Sequence, residues 1–255
     1  MKQRNIKLVI QYDGTRYAGW QRIPGNSRTI QYKLEQIISK MLGAPVEIIG
    51  AGRTDKGVHA LCQVANFHEP EDAVVYTCKE MLEYINAHLP QDIAVVSVSE
   101  VSERFHARFH CKEKTYCYRI DNRLVQDVFQ SKFRTHIPAR LDVRAMRQAA
   151  ALLEGEHDFT SFTSAKSKTK SMVRMLSSVE IISGEEAGGE GFINLSFTGN
   201  GFLYHMVRIL AGTLIEVGLH QRSPKDVSSI FDAKERAVAG YTAPPEGLVL
   251  EALEY

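Results

Sequence analysis

The sequence predicts an α+β fold, two layers deep, built from two βαββαβ domains. Each domain has an antiparallel sheet with its helices on one side, and the two are related by a pseudo-two-fold. Two observations predict this. Segments of strand and helix periodicity follow one another as βαββαβ through residues 5–99, and the same order returns, with one added helix, through residues 112–254. Length and composition agree, because 255 residues at 44% hydrophobic content can fill two cores of ordinary size. This element order describes the ferredoxin-like split unit.

Each element rests on its own pattern. Residues 5–12 (NIKLVIQY) read as a strand, and residues 29–42 place Ile30, Leu34, Ile37, Ile38 and Met41 at helical spacing. Residues 46–51 (VEIIGA) and 61–68 (LCQVANFH) read as strands, 77–89 as a helix stopped by Pro90, and 93–99 as a strand. The second half repeats the order with a strand near 112–121, a helix near 142–154, strands near 173–183 and 191–198, helices near 203–217 and 224–233, and a last strand near 248–254. The domains are expected to be 1–107 and 108–255.

Composition narrows the function classes. At the start only Leu8, Val9 and Ile10 run together before Gln11 and Asp13, too short a run for a signal peptide, so a cytoplasmic chain is expected. The most apolar stretch, GFLYHMVRILAGTLIEVG, carries His205, Arg208 and Glu216, which fits a buried helix better than a membrane span. Four scattered cysteines, Cys62, Cys78, Cys111 and Cys117, form no C-x-x-C pair and read as reduced core thiols. His106, His110, Cys111 and Cys117 lie near one another, but the region alternates like a strand, which sends successive side chains to opposite faces; no metal site is expected. The net charge of +1 hides an uneven distribution. SFTSAKSKTKSMVRMLSS at 161–178 holds Lys166, Lys168, Lys170 and Arg174 without an acid, and Arg104, Arg108, Lys112, Lys114, Arg119 and Arg123 make a second basic segment. Solvated surface explains either run alone, whereas both together suit a polyanion groove.

Three constellations carry chemistry. GAGRTDKGVHA at 50–60 is rich in glycine, yet Gly57 stands at the wrong spacing for a dinucleotide fingerprint, and Val58 stands where a phosphate-binding loop needs lysine. What remains is a connection between strands that gathers Arg53, Thr54, Asp55, Lys56 and His59, or simply a turn in which Asp55 bonds its own backbone. In the helix near 203–217, Arg208 is surrounded by apolar residues, with Ala211 and Gly212 small enough to admit another backbone or a substrate. Such a guanidinium calls for an acidic partner unless it snorkels at a helix edge. In KTYCYRI, Tyr116 and Tyr118 share one strand face, either as core residues with wet hydroxyls or as a platform for an unpaired base.

These motifs, with YDGTRYAGWQ at 12–21, FHARF at 105–109, HDFTSF at 157–162, FLYHMVR at 202–208 and PPEGLVL at 244–250, resemble the bacterial tRNA pseudouridine synthase A family in the correct order from about residue 8 to the C-terminus. The resemblance implies an isomerase that converts uridine to pseudouridine at positions 38, 39 and 40 of the tRNA anticodon stem-loop, with base flipping and no cofactor. It implies that Asp55 is the essential carboxylate, that Arg208 pairs with it, and that Tyr116 stacks on the target base and moves a proton. Arg53 would help flip the base and hold its phosphate. The substrate-binding set expected with them is Tyr116, Arg53, Lys56, His59, Trp20, Gln21, Arg108 and Lys168. Lys56 stands where some relatives carry a small residue and adds charge beside Asp55. A homodimer whose tRNA contacts both subunits is also implied, with no metal and no membrane. On this reading the loop glycines leave room for the flipped uridine and turn Arg53 and Asp55 toward it.

Two other classes compete. A noncatalytic RNA-binding protein would not need Asp55. A carboxylate-dependent nucleoside or glycoside hydrolase would use a second carboxylate, and the loop holds none.

Overall fold

The computed structural model describes residues 3–71, 73–164 and 171–255. The chain is mixed α and β and forms two compact units: residues 1–112 with 250–255, and residues 113–249.

The first unit follows the expected element order: β1 (Asn5–Tyr12), α1 (Ile30–Leu42), β2 (Ile49–Gly50), β3 (His59–His68), α2 (Cys78–His88) and β4 (Ile93–Val101). β1 lies between β3 and β4, antiparallel to both, and β2 pairs antiparallel with β3. Ile6, Leu8 and Ile10 alternate along β1 and are fully buried, as the period of two requires. Helix α1 buries Ile30, Leu34, Ile38 and Met41 but leaves Ile37 half-exposed, so the apolar stripe is narrower than its sequence suggests. Thr29 caps α1 by accepting from the Tyr32 amide, and Gly43, at φ 74°, ends it in the left-handed region. Thr77 and Glu80 form a reciprocal capping box on α2.

The expected strand at 46–51 is reduced to Ile49–Gly50. Side chains of α1 occupy the backbone groups that a ladder would use. Glu35 Oε1 accepts from the Ile48 amide, Gln31 Nε2 donates to the Ile48 carbonyl, and Ser39 Oγ accepts from the Val46 amide.

The division between units falls after Lys112 rather than near 107, and the last residues cluster with the first unit. Hydrogen bonds explain the shift. Asn5 donates to the Phe105 carbonyl, Asn66 accepts from the Ala107 amide and donates to Asn5, and Tyr255 OH donates to the Ala107 carbonyl. The 105–109 segment is therefore a turn stitched to the first unit, not an alternating strand, which removes the periodicity argument used against a metal there.

The second unit contains β5 (Glu113–Asp121), β6 (Thr135–His136), α3 (Val143–Ala150), β7 (Gly155–Asp158), β8 (Val173–Ser183), β9 (Phe192–Gly199), α4 (Met206–Gly218) and α5 (Asp226–Ala233). Its strands run in the order β5-β9-β8-β7, each pairing antiparallel with its neighbour, and β6 adds parallel to β5. The short polar strands β6 and β7 are additions to the expected order. Helix α4 starts after His205, because that residue adopts φ 61°, a left-handed conformation outside the helix. A final strand, β10 (Leu248–Glu254), begins in this unit's last residues and belongs from Leu250 onward to the first. Of the cysteines, only Cys117 is buried; Cys62, Cys78 and Cys111 are half-buried, and all four are free thiols.

Candidate active site

The loop 50–60 is built against the motif at 12–21, and both lie in the first unit. Its turn is set by Gly57. The Val58 amide donates to the Asp55 carbonyl at 3.2 Å, closing a four-residue turn, and Gly57 takes φ 81° at the third position, as a type II turn requires. The Gly57 amide donates to the Tyr17 carbonyl, and the Trp20 amide donates to the Thr54 carbonyl. Two glycines of the other motif permit this approach. A Cβ on Gly14 would lie 1.9 Å from the Val58 carbonyl oxygen, and one on Gly19 would lie 2.6 Å from that of Thr54.

The side chains then alternate in exposure. Thr54 is buried and bonds Tyr12 OH through its hydroxyl at 2.7 Å; burial raises the Tyr12 phenol well above its ordinary range, leaving it a neutral anchor. Asp55 is half-buried between the exposed Arg53 and Lys56. The turn therefore presents one carboxylate at the surface with a cation before and after it in the chain. Arg16 and Tyr17 OH both donate to Asp92, and these bonds outweigh its partial burial and hold that carboxyl below its usual value.

Two residues expected to touch substrate face inward. Trp20 is only 2% exposed, and its indole fills the place where Gly50 would carry a side chain. Gly50 thus makes room for Trp20, not for a nucleotide. His59 is buried, with Nδ1 accepting from the Gly14 amide at 3.0 Å and lying 3.3 Å from Asp13 Oδ1. It anchors the neighbouring motif. Gln21 is half-buried, and Arg108 is exposed on the 105–109 turn beside Phe109, which stacks on His106. Lys168 lies outside the described residues, as do Lys166 and Lys170.

In the second unit, Arg208 sits on the first turn of α4. Its Nε donates to the Ala243 carbonyl at 2.7 Å, and the Ala243 amide donates to the Arg208 carbonyl at 3.0 Å. The small residues beside it admit a backbone: a Cβ on Gly212 would lie 2.0 Å from the Tyr241 carbonyl oxygen. The segment 240–243 is therefore clasped to α4 and fixes how Arg208 leaves the helix.

The two tyrosines of KTYCYRI part company. Tyr118 is fully buried, with its OH bonded to Thr135 and the Pro244 carbonyl, and burial pushes its phenol far up. Tyr116 is 7% exposed and meets Phe202 edge-on, with ring centres 5.1 Å apart. In the second basic segment, Arg123 is committed to Asp121 and Asp127, and Lys112 to the Tyr255 carbonyl.

Sequence reasoning missed a cavity of about 1100 Å³ beside the loop. Arg16, Arg28, Lys33 and Lys56 line it. No run of basic residues announces it, because its cations come from four separated stretches. Among the described residues no group of three or more His, Cys, Asp or Glu is placed to hold a metal ion, and no helix is long and apolar enough to cross a membrane.

The chain matches the family model for tRNA pseudouridine synthase over residues 8–110 and 149–255, a match that includes the loop carrying Asp55 and the helix carrying Arg208. It is 48% identical over 251 residues to tRNA pseudouridine synthase A 2 of Bacillus cereus, covering 98% of this chain and 99% of that protein. It is 44% identical over 269 residues to tRNA pseudouridine synthase A 1 of Clostridium tetani, covering 99% and 100%. It is 42% identical over 252 residues to tRNA pseudouridine synthase A of an Exiguobacterium, covering 99% and 98%. With the family match spanning both units, the chain belongs to the tRNA pseudouridine synthase family of isomerases.

Proposed function

We propose that this protein isomerises uridine to pseudouridine at positions 38, 39 and 40 of the tRNA anticodon stem-loop, with Asp55 as the essential carboxylate. The observation that carries the proposal is the Gly57 turn, which offers a half-buried Asp55 between two exposed cations on a braced backbone. The reaction must break the C1′–N1 bond, turn the uracil while it is held, and form a C1′–C5 bond. The C5 hydrogen then leaves to solvent and N1 gains a proton. A carboxylate at this place can act as nucleophile on C1′ or C6, or take a sugar proton to give a glycal. No cofactor is needed for any of these routes.

A uridine stacked in the stem is out of reach, so the nucleotide is flipped, at a cost of about a few kcal/mol. Arg53, exposed beside Asp55, is proposed to hold the flipped nucleotide's phosphate. Tyr116 is proposed to stack on the target base, and Arg208 to face Asp55 during the reaction. The same reading takes the two units as divergent copies of one βαββαβ plan, acting in the cytoplasm as a homodimer.

The test is tritium release from unmodified tRNA labelled at uracil C5. Wild-type protein should release label from the anticodon arm, while Asp55→Asn and Asp55→Ala should bind tRNA and release none. Release of free uracil would instead identify a hydrolase, and full activity in Asp55→Ala would remove Asp55 from the chemistry.

A further inference from the structure

The cavity beside the loop has a lining that the chemistry above does not use. It draws on the 15–18 turn, residues 26–28, one face of α1, the end of α2 and Lys56. On α1 it is lined by Tyr32, Lys33, Gln36 and Ile37, the last three spaced as i, i+3 and i+4, on a face beside the stripe that Leu34 and Ile38 bury in the core. Arg16, Arg28, Lys33 and Lys56 are in this lining, and among the described residues no acidic one is. Asp92 engages Arg16, which leaves Arg28, Lys33 and Lys56 as the cations the cavity offers. Its size, about 1100 Å³, lies above the roughly 300–1,000 Å³ of most small-molecule pockets.

We infer that this cavity seats the sugar-phosphate backbone of the substrate RNA beside the reacting nucleotide, with Arg28 and Lys33 as phosphate-positioning residues. Three features lead there. Long cations without acids in the lining suit a repeating anion, and a site for one small anion would concentrate them on a single point. Lys56 immediately follows Asp55, so a residue of the cavity's lining is the chain neighbour of the candidate carboxylate's residue, with Cα atoms about 3.8 Å apart. Tyr32 lies half-buried in the wall among these cations and offers a ring on which an unpaired base can stack. Phosphate contacts of this kind set register without reading sequence, which suits one enzyme acting at neighbouring positions. The inference rests on the proposed function and adds the route by which the RNA reaches Asp55.

The test measures direct binding of unmodified tRNA and tritium release over a range of salt, for wild type, Arg28→Glu, Lys33→Glu, the milder Arg28→Gln and Lys33→Gln, and Lys40→Glu as a charge control elsewhere on α1. Charge reversal at 28 or 33 should weaken binding on the order of tenfold at moderate salt, raise KM more than it lowers kcat, and flatten the plot of log affinity against log salt by about one unit per contact. The Gln variants should show the same change in slope at smaller amplitude, and Lys40→Glu should stay close to wild type. Binding and slope unchanged in all the 28 and 33 variants, or lost equally in Lys40→Glu, would overturn the inference. Wild-type protein that binds tRNA in the expected pattern but releases no label would count against the catalytic reading and would support the cavity as an RNA site.

Discussion

Trp20 lies against Gly50 so closely that a Cβ on the glycine would stand 2.5 Å from the indole nitrogen. One glycine of the candidate catalytic loop is therefore a packing residue, and Trp20, the only tryptophan in the chain, is a built-in reporter of it. Gly50→Ala should push the indole out and cost about 1–3 kcal/mol, as overpacking of a close-packed site does. Its fluorescence should shift to the red, and Tm should fall by about 2–4 °C for each kcal/mol lost. Unchanged emission and melting would show that the indole has room to move.

A second close contact lies in the other unit, where the Tyr241 carbonyl oxygen would be 2.0 Å from a Cβ on Gly212. Gly212→Ala should displace the 240–243 segment and loosen its hold on Arg208. A loss of about 1–3 kcal/mol in urea unfolding is expected, with turnover falling further than the folded fraction. Turnover that tracks the folded fraction alone would mean that the clasp is purely structural.

Asp121 gives a pH-dependent stability. Its side chain is 1% exposed; burial works against ionisation, but hydrogen bonds from Arg123 and the Asp127 amide win and hold its carboxyl down to about 2. Because the folded value lies below the unfolded one, the stabilisation is fully present above the unfolded value of about 4 and is lost as pH falls toward 2. Asp121→Asn should therefore cost up to about 2 kcal/mol at pH 7 and progressively less below pH 4. Urea unfolding at pH 7 and pH 3 checks this, and a difference that grows on acidification would contradict the sign.

Where the local pattern and the tertiary structure agree, the sequence is legible. β1, β8 and β10 fall on the predicted residues because each keeps a strand's composition with turn residues at its ends. VEIIGA misleads because Gln31 and Glu35 take its hydrogen bonds, and nothing in residues 46–51 reveals that. The placement of Leu250–Tyr255 is likewise hidden, since periodicity marks a strand but not its partners. In the candidate site, Asp55 and its neighbouring cations could be read from the loop itself. Trp20 and His59 could not be told from contact residues, because their burial depends on Gly50 and Gly14, distant in sequence. The cavity cations at 16, 28, 33 and 56 are brought together only by the fold.

Arg208 separates charge from geometry. Its guanidinium uses Nε to hold the Ala243 carbonyl, so the remaining nitrogens are aimed by a bond that lysine cannot make. Arg208→Ala removes both functions and should lower kcat by about 100-fold or more, well beyond any loss of folded protein, if this cation acts on the reacting carboxylate. Arg208→Lys restores the charge without the Ala243 bond, and should recover part of kcat while keeping a lowered Tm. A lysine variant as inactive as the alanine one would assign the effect to the fixed fork of arginine. A fully active Arg208→Ala would dispose of the proposed pairing with Asp55 and leave Arg208 as the pin between α4 and residue 243.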